Sequence, residues 1–124
     1  MLKQWYLLVT VVVCSACVSH STPSEAQQEN TLERYLDMPA YQQAQAIASG
    51  EITSAALVKG YLSRVEKLDN QVNSVLALNP NVLNEAQAVD RQIANKQALG
   101  PLAGIPVLLK DNIESDEMPT TAGS

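Results

Sequence analysis

The chain has no Phe, and one Trp and four Tyr make up its aromatic side chains. A single His and two Cys exclude a zinc site built from several His and Cys ligands, and they also exclude a disulfide framework. Basic residues are scarce as well, because eight Lys and Arg stand against thirteen Asp and Glu, for a formal net charge of −5. We therefore expect neither a metal nor a nucleic-acid partner.

The size and composition that remain are those of one small folded body. The 124 residues suffice for a single domain, and 46% of them are hydrophobic while 17% are charged. This balance is typical of a globular protein and not of a disordered one. No internal repeat divides the chain.

The N-terminus has the pattern of an export signal. Lys3 is the only charged side chain in residues 1–16, and the apolar run 5–13 is shorter than the roughly 20 residues of a membrane-spanning helix. Two outcomes stay open. Cleavage after Ala16 would release a soluble protein into the periplasm. Alternatively, the small residues around the cut resemble a lipoprotein lipobox, which predicts a lipid on Cys17 and anchoring in the cell envelope.

Residues 17–35 are predicted to hold the lipidation site and a flexible linker. Residues 18–30 are polar and lack a helical or strand period, so they bury too little apolar surface to offset the entropy of ordering. The only histidine, His20, lies in this stretch, and we interpret it as a solvated residue because a catalytic histidine needs a positioned partner. A lipid on Cys17 would make the membrane a partner of this protein.

Three helices are predicted in the middle of the chain. The first begins after Pro39 and ends at Gly50, and the second is capped by Thr53 or Ser54. Gly60 inside the second helix costs about 1 kcal/mol relative to Ala, which indicates close packing against a neighbour. The buried stripe of the second helix is predicted to comprise Leu57, Tyr61, Val65 and Leu68. The stripe of the third helix is predicted to comprise Val82, Ala86, Val89 and Ile93.

Two short apolar segments are predicted as strands, residues 72–78 and residues 105–109. The resulting order, helix–helix–strand–helix–strand, predicts an α/β fold. A buried strand such as 105–109 needs strands beside it, and the chain offers one other candidate. We therefore expect a sheet that is incomplete within this chain.

Lys110 stands at the end of the second predicted strand and has two interpretations. In the first, the ammonium simply reaches water at a strand end. In the second, burial disfavours the charged form and leaves a neutral amine that can accept a proton. The neighbouring Asp111 acts against the second interpretation, because a close carboxylate favours the ammonium. Spacing alone does not decide between them.

A known family resembles this part of the chain. Residues 100–113 read Gly-Pro-Leu-Ala-Gly-Ile-Pro-Val-Leu-Leu-Lys-Asp-Asn-Ile, and residues 118–124 read Met-Pro-Thr-Thr-Ala-Gly-Ser. Together they closely resemble the amidase signature family, and the resemblance covers residues 39–124. It implies the amidase signature fold, a mixed β-sheet covered by helices, of which residues 36–124 would form a truncated N-terminal part.

The resemblance also implies an amide C–N hydrolase with a Ser–cis-Ser–Lys triad, an acyl-enzyme intermediate and no cofactor. Lys110 matches the base of that triad. In the family both serines come from a Gly/Ser-rich segment after the Thr-Thr-Ala-Gly-Ser block, so we assign neither role to Ser115 or Ser124. We expect small-molecule or peptide amides as substrates and no activity of this chain alone. A non-enzymatic envelope lipoprotein with a short, partner-binding helical body is the alternative.

Overall fold

The computed structural model describes residues 25–123, and their architecture is helical. Four α-helices are followed by an irregular segment from residue 95 to residue 123. Within the described residues, β-structure is limited to one isolated bridge between Ser115 and Met118. The helices are α1 (Glu25–Leu36), α2 (Ala40–Ser49), α3 (Ser54–Val72) and α4 (Val82–Ala94).

The predicted α/β fold class is wrong, because the described residues contain helices and no sheet. The first predicted strand, 72–78, begins at the last residue of α3, and the second, 105–109, lies in the irregular segment after α4. Neither forms a backbone ladder with another described segment. An apolar run becomes a strand only when its N–H and C=O groups find a partner strand. Apolar character was visible in the sequence, but the partner that would turn it into a strand was not.

The helix boundaries around residue 50 confirm the capping predictions. Pro39 precedes α2 directly, and Gly50 ends it with a φ of +79° and an N–H that donates to the Ala46 carbonyl. The side chain of Thr53 accepts a hydrogen bond of 3.1 Å from the N–H of Ala56 at the start of α3. These three features are local, since each cap needs only residues within one turn.

Helix α1 occupies the second half of the segment that we predicted to be a flexible linker, residues 17–35. Tyr35 and Leu36 of this helix are buried in the hydrophobic core, and Leu32 packs against that core as a partly buried side chain. A Cβ added to Gly60 would lie 3.0 Å from Leu36 Cδ2 and 3.1 Å from Leu32 Cδ2, which confirms the close approach predicted at that glycine. The polar composition of this stretch hid an apolar stripe at helical spacing.

The buried core forms around α3. Leu57 is completely buried, and Ile47 of α2 and Tyr35 of α1 belong to the same cluster. Ile93 of α4 and Ile105 of the irregular segment pack against it as partly buried side chains. The core therefore extends from the helices into the irregular segment as far as Ile105, shortly before Lys110.

Several predictions at the N-terminus lie outside the described residues and stay predictions. They concern the export signal of residues 1–16, the lipidation site Cys17 and the solvated role of His20. Among residues 25–123, no helix combines the length and the apolar character that crossing a bilayer requires.

Candidate active site

The segment that leads to Lys110 is anchored to the N-terminus of α3. Ser54 is 1% exposed, and its hydroxyl donates a hydrogen bond of 2.7 Å to the carbonyl of Gly104. Gly104 has a φ of +83°, and a Cβ at that position would lie 3.0 Å from the Ser54 Cβ. Both the left-handed backbone and the close approach favour glycine. The chain thus leaves the helical core at a fixed point shortly before Lys110.

The same end of α3 is also held by α4. The carboxylate of Asp90 accepts hydrogen bonds from the N–H of Ser54 at 2.7 Å and from the N–H of Ala55 at 3.1 Å. Free N–H groups at the start of a helix lie at the positive end of its dipole, where a carboxylate is stabilised. The sequence did not predict this pairing of Asp90, because its partners lie some 35 residues away and no local pattern marks it.

Lys110 itself is exposed in the described structure. It follows Val107 and Leu108, which are 74% and 84% exposed, and its ammonium forms no hydrogen bond or ion pair with a described residue. This is the arrangement of the first interpretation, in which the ammonium reaches water. The enclosure that a neutral lysine needs is not supplied by the described residues.

Asp111 directs its hydrogen bonds to a turn ten residues further along the chain. Its carboxylate accepts from the Thr121 hydroxyl at 2.6 Å, from the Thr121 N–H at 3.1 Å and from the Gly123 N–H at 3.1 Å. The hydroxyl and the N–H of Thr121, in that order, hold the pKa of Asp111 below its ordinary value. In the described part of the chain no ion pair joins Asp111 to Lys110, so the expected opposition between the two is not realised.

These bonds bring together the two motif blocks that resembled a known family. The N–H of Ala122 also donates to the backbone carbonyl of Asp111, at 3.3 Å. Ala122 and Gly123 have φ values of +52° and +82°, which turn the chain back toward Asp111. We call Asp111, Thr121, Ala122 and Gly123 the Asp111 clasp. Sequence reasoning recognised both blocks but not the carboxylate that joins them.

An open cleft of about 640 Å³ adjoins Lys110. Its walls are mostly apolar side chains of α3 and of the two segments that were predicted as strands, and its charged lining residues are Lys110 and Asp111. Ser115 also lines the cleft, but its Oγ accepts a hydrogen bond from the Glu117 N–H within a tight turn. No group of three or more His, Cys, Asp or Glu side chains within residues 25–123 is placed to hold a metal ion.

Comparison with protein families matches the chain to the family described as Amidase over residues 56–124. The matched region begins in α3, contains Lys110 and includes the Asp111 clasp. No solved structure matches the chain.

Curated relatives agree with this match, and several of them are glutamyl-tRNA(Gln) amidotransferase A subunits. The chain is 43% identical over 79 residues to the chloroplastic/mitochondrial protein of Arabidopsis thaliana, covering 64% of this chain and 15% of that protein. It is 43% identical over 84 residues to the protein of Methylobacillus flagellatus, covering 67% of this chain and 17% of that protein. It is 38% identical over 90 residues to the protein of Streptomyces coelicolor, covering 72% of this chain and 18% of that protein. The aligned region spans less than a fifth of each relative. Because the family match covers more than half of this chain, the protein belongs to the amidase family.

Proposed function

We propose that this chain is the lysine-bearing part of an amidohydrolase that cleaves carboxylic amide C–N bonds through an acyl-enzyme, with Lys110 as the general base. The observation that carries the proposal is the family match over residues 56–124, since it includes Lys110 and both motif blocks. The Asp111 clasp supports it, because it holds the two blocks together next to Lys110.

The chemistry explains why a lysine is needed and why this chain alone should be inactive. A serine hydroxyl is a weak nucleophile until a base within hydrogen-bond reach takes its proton. Lys110 can serve as that base only when other groups cover it and disfavour the ammonium. Among the described residues Lys110 is exposed, and neither Ser115 nor Ser124 lies in the block that supplies the family's serines. We therefore expect no turnover by the 124-residue chain.

The substrate class follows from the family and from the predicted N-terminus. The relatives described above are subunits of glutamyl-tRNA(Gln) amidotransferases. Residues 1–16 have the pattern of an export signal, and exported enzymes do not meet tRNA in the cytoplasm. We therefore propose small-molecule or peptide amides as the substrates and the cell envelope or the periplasm as the location.

A fusion protein tests the role of Lys110. Residues 25–124 replace the matched segment of the Methylobacillus flagellatus relative, and ammonia release is measured on amides that the unmodified relative turns over. We expect the fusion to be active and Lys110→Ala to lower kcat by about 10²–10⁴, which is the usual contribution of a general base. Lys110→Arg should be equally poor, because arginine keeps its proton.

Lys59→Ala is the matched control, since Lys59 is an exposed lysine of α3 in the same matched region. It should leave kcat unchanged. A soluble, helical fusion that is inactive with Lys110 present, or fully active with Lys110→Ala, would contradict the proposed function. In the first case the alternative of a non-enzymatic envelope lipoprotein would gain support.

The N-terminal proposal has its own experiment. The full chain is expressed in a bacterial host that is fed a fatty acid carrying a click-chemistry handle, and labelling is read on a gel. If Cys17 is the lipidated residue, Cys17→Ser removes the label while Cys14→Ser keeps it. An unlabelled wild-type chain of reduced mass would indicate cleavage after Ala16 instead.

A further inference from the structure

The backbone around Lys110 is held at two points and is otherwise unsupported. Upstream, the Ser54 hydroxyl fixes Gly104. Downstream, the N–H of Ile113 donates to the Lys110 carbonyl at 2.8 Å, which closes a tight turn that contains Asp111. Between these points, residues 107–109 form no backbone hydrogen bond with any described residue. The position of Lys110 therefore depends on what holds the turn that follows it.

The Asp111 clasp holds that turn. Its three hydrogen bonds to the carboxylate and the bond from Ala122 to the Asp111 carbonyl close a loop from residue 111 to residue 123. Hydrogen bonds to a charged acceptor are about twice as strong as bonds between neutral groups. With no sheet in the described residues to hold the segment, the clasp is the main restraint on its downstream end.

The clasp also determines whether the Asp111 carboxylate can form an ion pair with Lys110. Lys110 and Asp111 are the charged residues that line the cleft, and the remaining titratable lining group is Tyr61, whose hydroxyl donates to the Leu36 carbonyl. An Asp111 carboxylate without its Thr121 bonds would be free to approach the ammonium and favour the protonated form. While it accepts bonds from Thr121 and Gly123, it is kept out of an ion pair with the base.

We infer that Asp111 is a positioning residue for Lys110, and that Thr121 acts with it by engaging the carboxylate that would otherwise pair with the lysine. This inference rests on the proposed function of Lys110. It assigns Asp111 and Thr121 no contact with the substrate. It predicts that loss of the Thr121 hydroxyl harms the base in two ways, by loosening the turn and by freeing a competing charge.

The fusion protein described above provides the kinetic test. Thr121→Val should lower kcat about tenfold with little change in KM, and it should move the acidic limb of the kcat–pH profile to higher pH by about one unit. Thr121→Ser keeps the hydroxyl and should restore both values. Thr120→Val is the matched control, because the exposed Thr120 hydroxyl makes only a 3.5 Å contact with the Ile113 carbonyl. A purely structural role would not move the pH limb.

A second measurement uses the full 124-residue chain and does not depend on catalysis. Amide hydrogen exchange at Thr121 should become at least about tenfold faster in Asp111→Ala, because its N–H loses its bond to the carboxylate. The Gly123 N–H should be affected less, because it also donates to the Thr121 hydroxyl at 3.2 Å. Unchanged exchange would overturn the clasp in solution. Unchanged kcat and pH profile in Thr121→Val, with Lys110→Ala inactive, would overturn the positioning role alone. Full activity of Lys110→Ala would instead overturn the proposed function while the exchange result still stands.

Discussion

The two regions of this molecule are held together by different forces. The helical region, residues 25–94, contains every buried apolar residue of the described structure, from Tyr35 to Ala86. The motif region, residues 95–123, contains none, and its apolar residues Val107 and Leu108 are mostly exposed. The helical region is stabilised by burial, whereas the motif region takes its shape from hydrogen bonds at its turns.

The residues that stabilise the fold and the residue proposed for catalysis therefore lie in different parts of the chain. The residues proposed for catalysis lie in the region with the least buried surface, and they are connected to the helical region through Gly104 and Ile105. We therefore expect substitutions in the helices to change the free energy of unfolding of the whole protein. Substitutions in the motif region should change mainly local geometry.

The strongest test compares a buried and an exposed apolar residue. Leu57→Ala should lower the free energy of unfolding by about 2–5 kcal/mol, because it leaves a cavity in the core around α3. Val107→Ala should change it by less than about 0.5 kcal/mol, because the Val107 side chain is already 74% exposed. Urea denaturation followed by circular dichroism measures both. Equal losses in the two variants would show that the motif region is packed in solution.

The junction between the regions is tested at Gly104. Gly104→Ala should cost about 1–3 kcal/mol, since alanine must adopt a φ of +83° and its Cβ would press on Ser54. Gly100→Ala is the matched control, because no atom lies within 4 Å of a Cβ built there. Thermal unfolding distinguishes them. If Gly104→Ala were as stable as Gly100→Ala, the motif region would not be fastened to α3 as described.

A smaller effect is expected at a helix cap in the helical region. Thr53→Ala removes the acceptor of the Ala56 N–H and should cost about 1 kcal/mol. Thr53→Ser keeps that acceptor and should cost at most a few tenths of this amount. Chemical denaturation of the three proteins side by side provides the measurement. An equal loss in the serine variant would assign the effect to the Thr53 methyl group and not to the cap.

The smallest expected effect on stability is the pH dependence of two carboxylates, one in each region. Asp69 in the last turn of α3 and Asp111 in the clasp both have a pKa below the ordinary value of 3.8. The first is lowered mainly by the Ser74 hydroxyl and then by its N–H, and the second mainly by the Thr121 hydroxyl and then by its N–H. Because the folded pKa is lowered, each contribution to stability is complete above pH 3.8 and is lost as the pH falls through the folded value.

Amide chemical shifts report this loss directly. On acidification, the Ser74 and Thr121 N–H signals should titrate with midpoints below pH 3.8. Asp111→Asn should abolish the titration at Thr121 and leave that at Ser74 intact. A midpoint at or above 3.8 for Thr121 would mean that the clasp is open in solution.

Local signals in the sequence predicted the boundaries of α2 and the start of α3. Pro39, Gly50 and Thr53 were each recognised from their immediate neighbours, and the structure confirms all three. In the predicted buried stripe of α3, Leu57 is buried, whereas Leu68 near the end of the helix is exposed. Helix α1 was not predicted, since the polar residues around its short apolar stripe concealed the period.

The candidate site was only partly predictable. Lys110 could be singled out because it ends an apolar run within a specific motif, and it stays a proposal for the base. The hydrogen bonds that Asp90 accepts from the start of α3 and that Asp111 accepts from Thr121 could not be foreseen, because each joins residues that are distant in sequence. An aspartate at position 90 or 111 does not by itself indicate which group its carboxylate will accept a hydrogen bond from.

The sequence by itself determined the family and the caps of α2 and α3, and it singled out Lys110 as the proposed base, because each depends on residue types within a short stretch of chain. Only the tertiary structure decided that the apolar runs 72–78 and 105–109 are not strands in the described protein, and that Asp111 bonds to Thr121 instead of opposing Lys110. Both outcomes depend on which distant groups meet in space, and a hydrogen bond or a strand forms only when its partner is present.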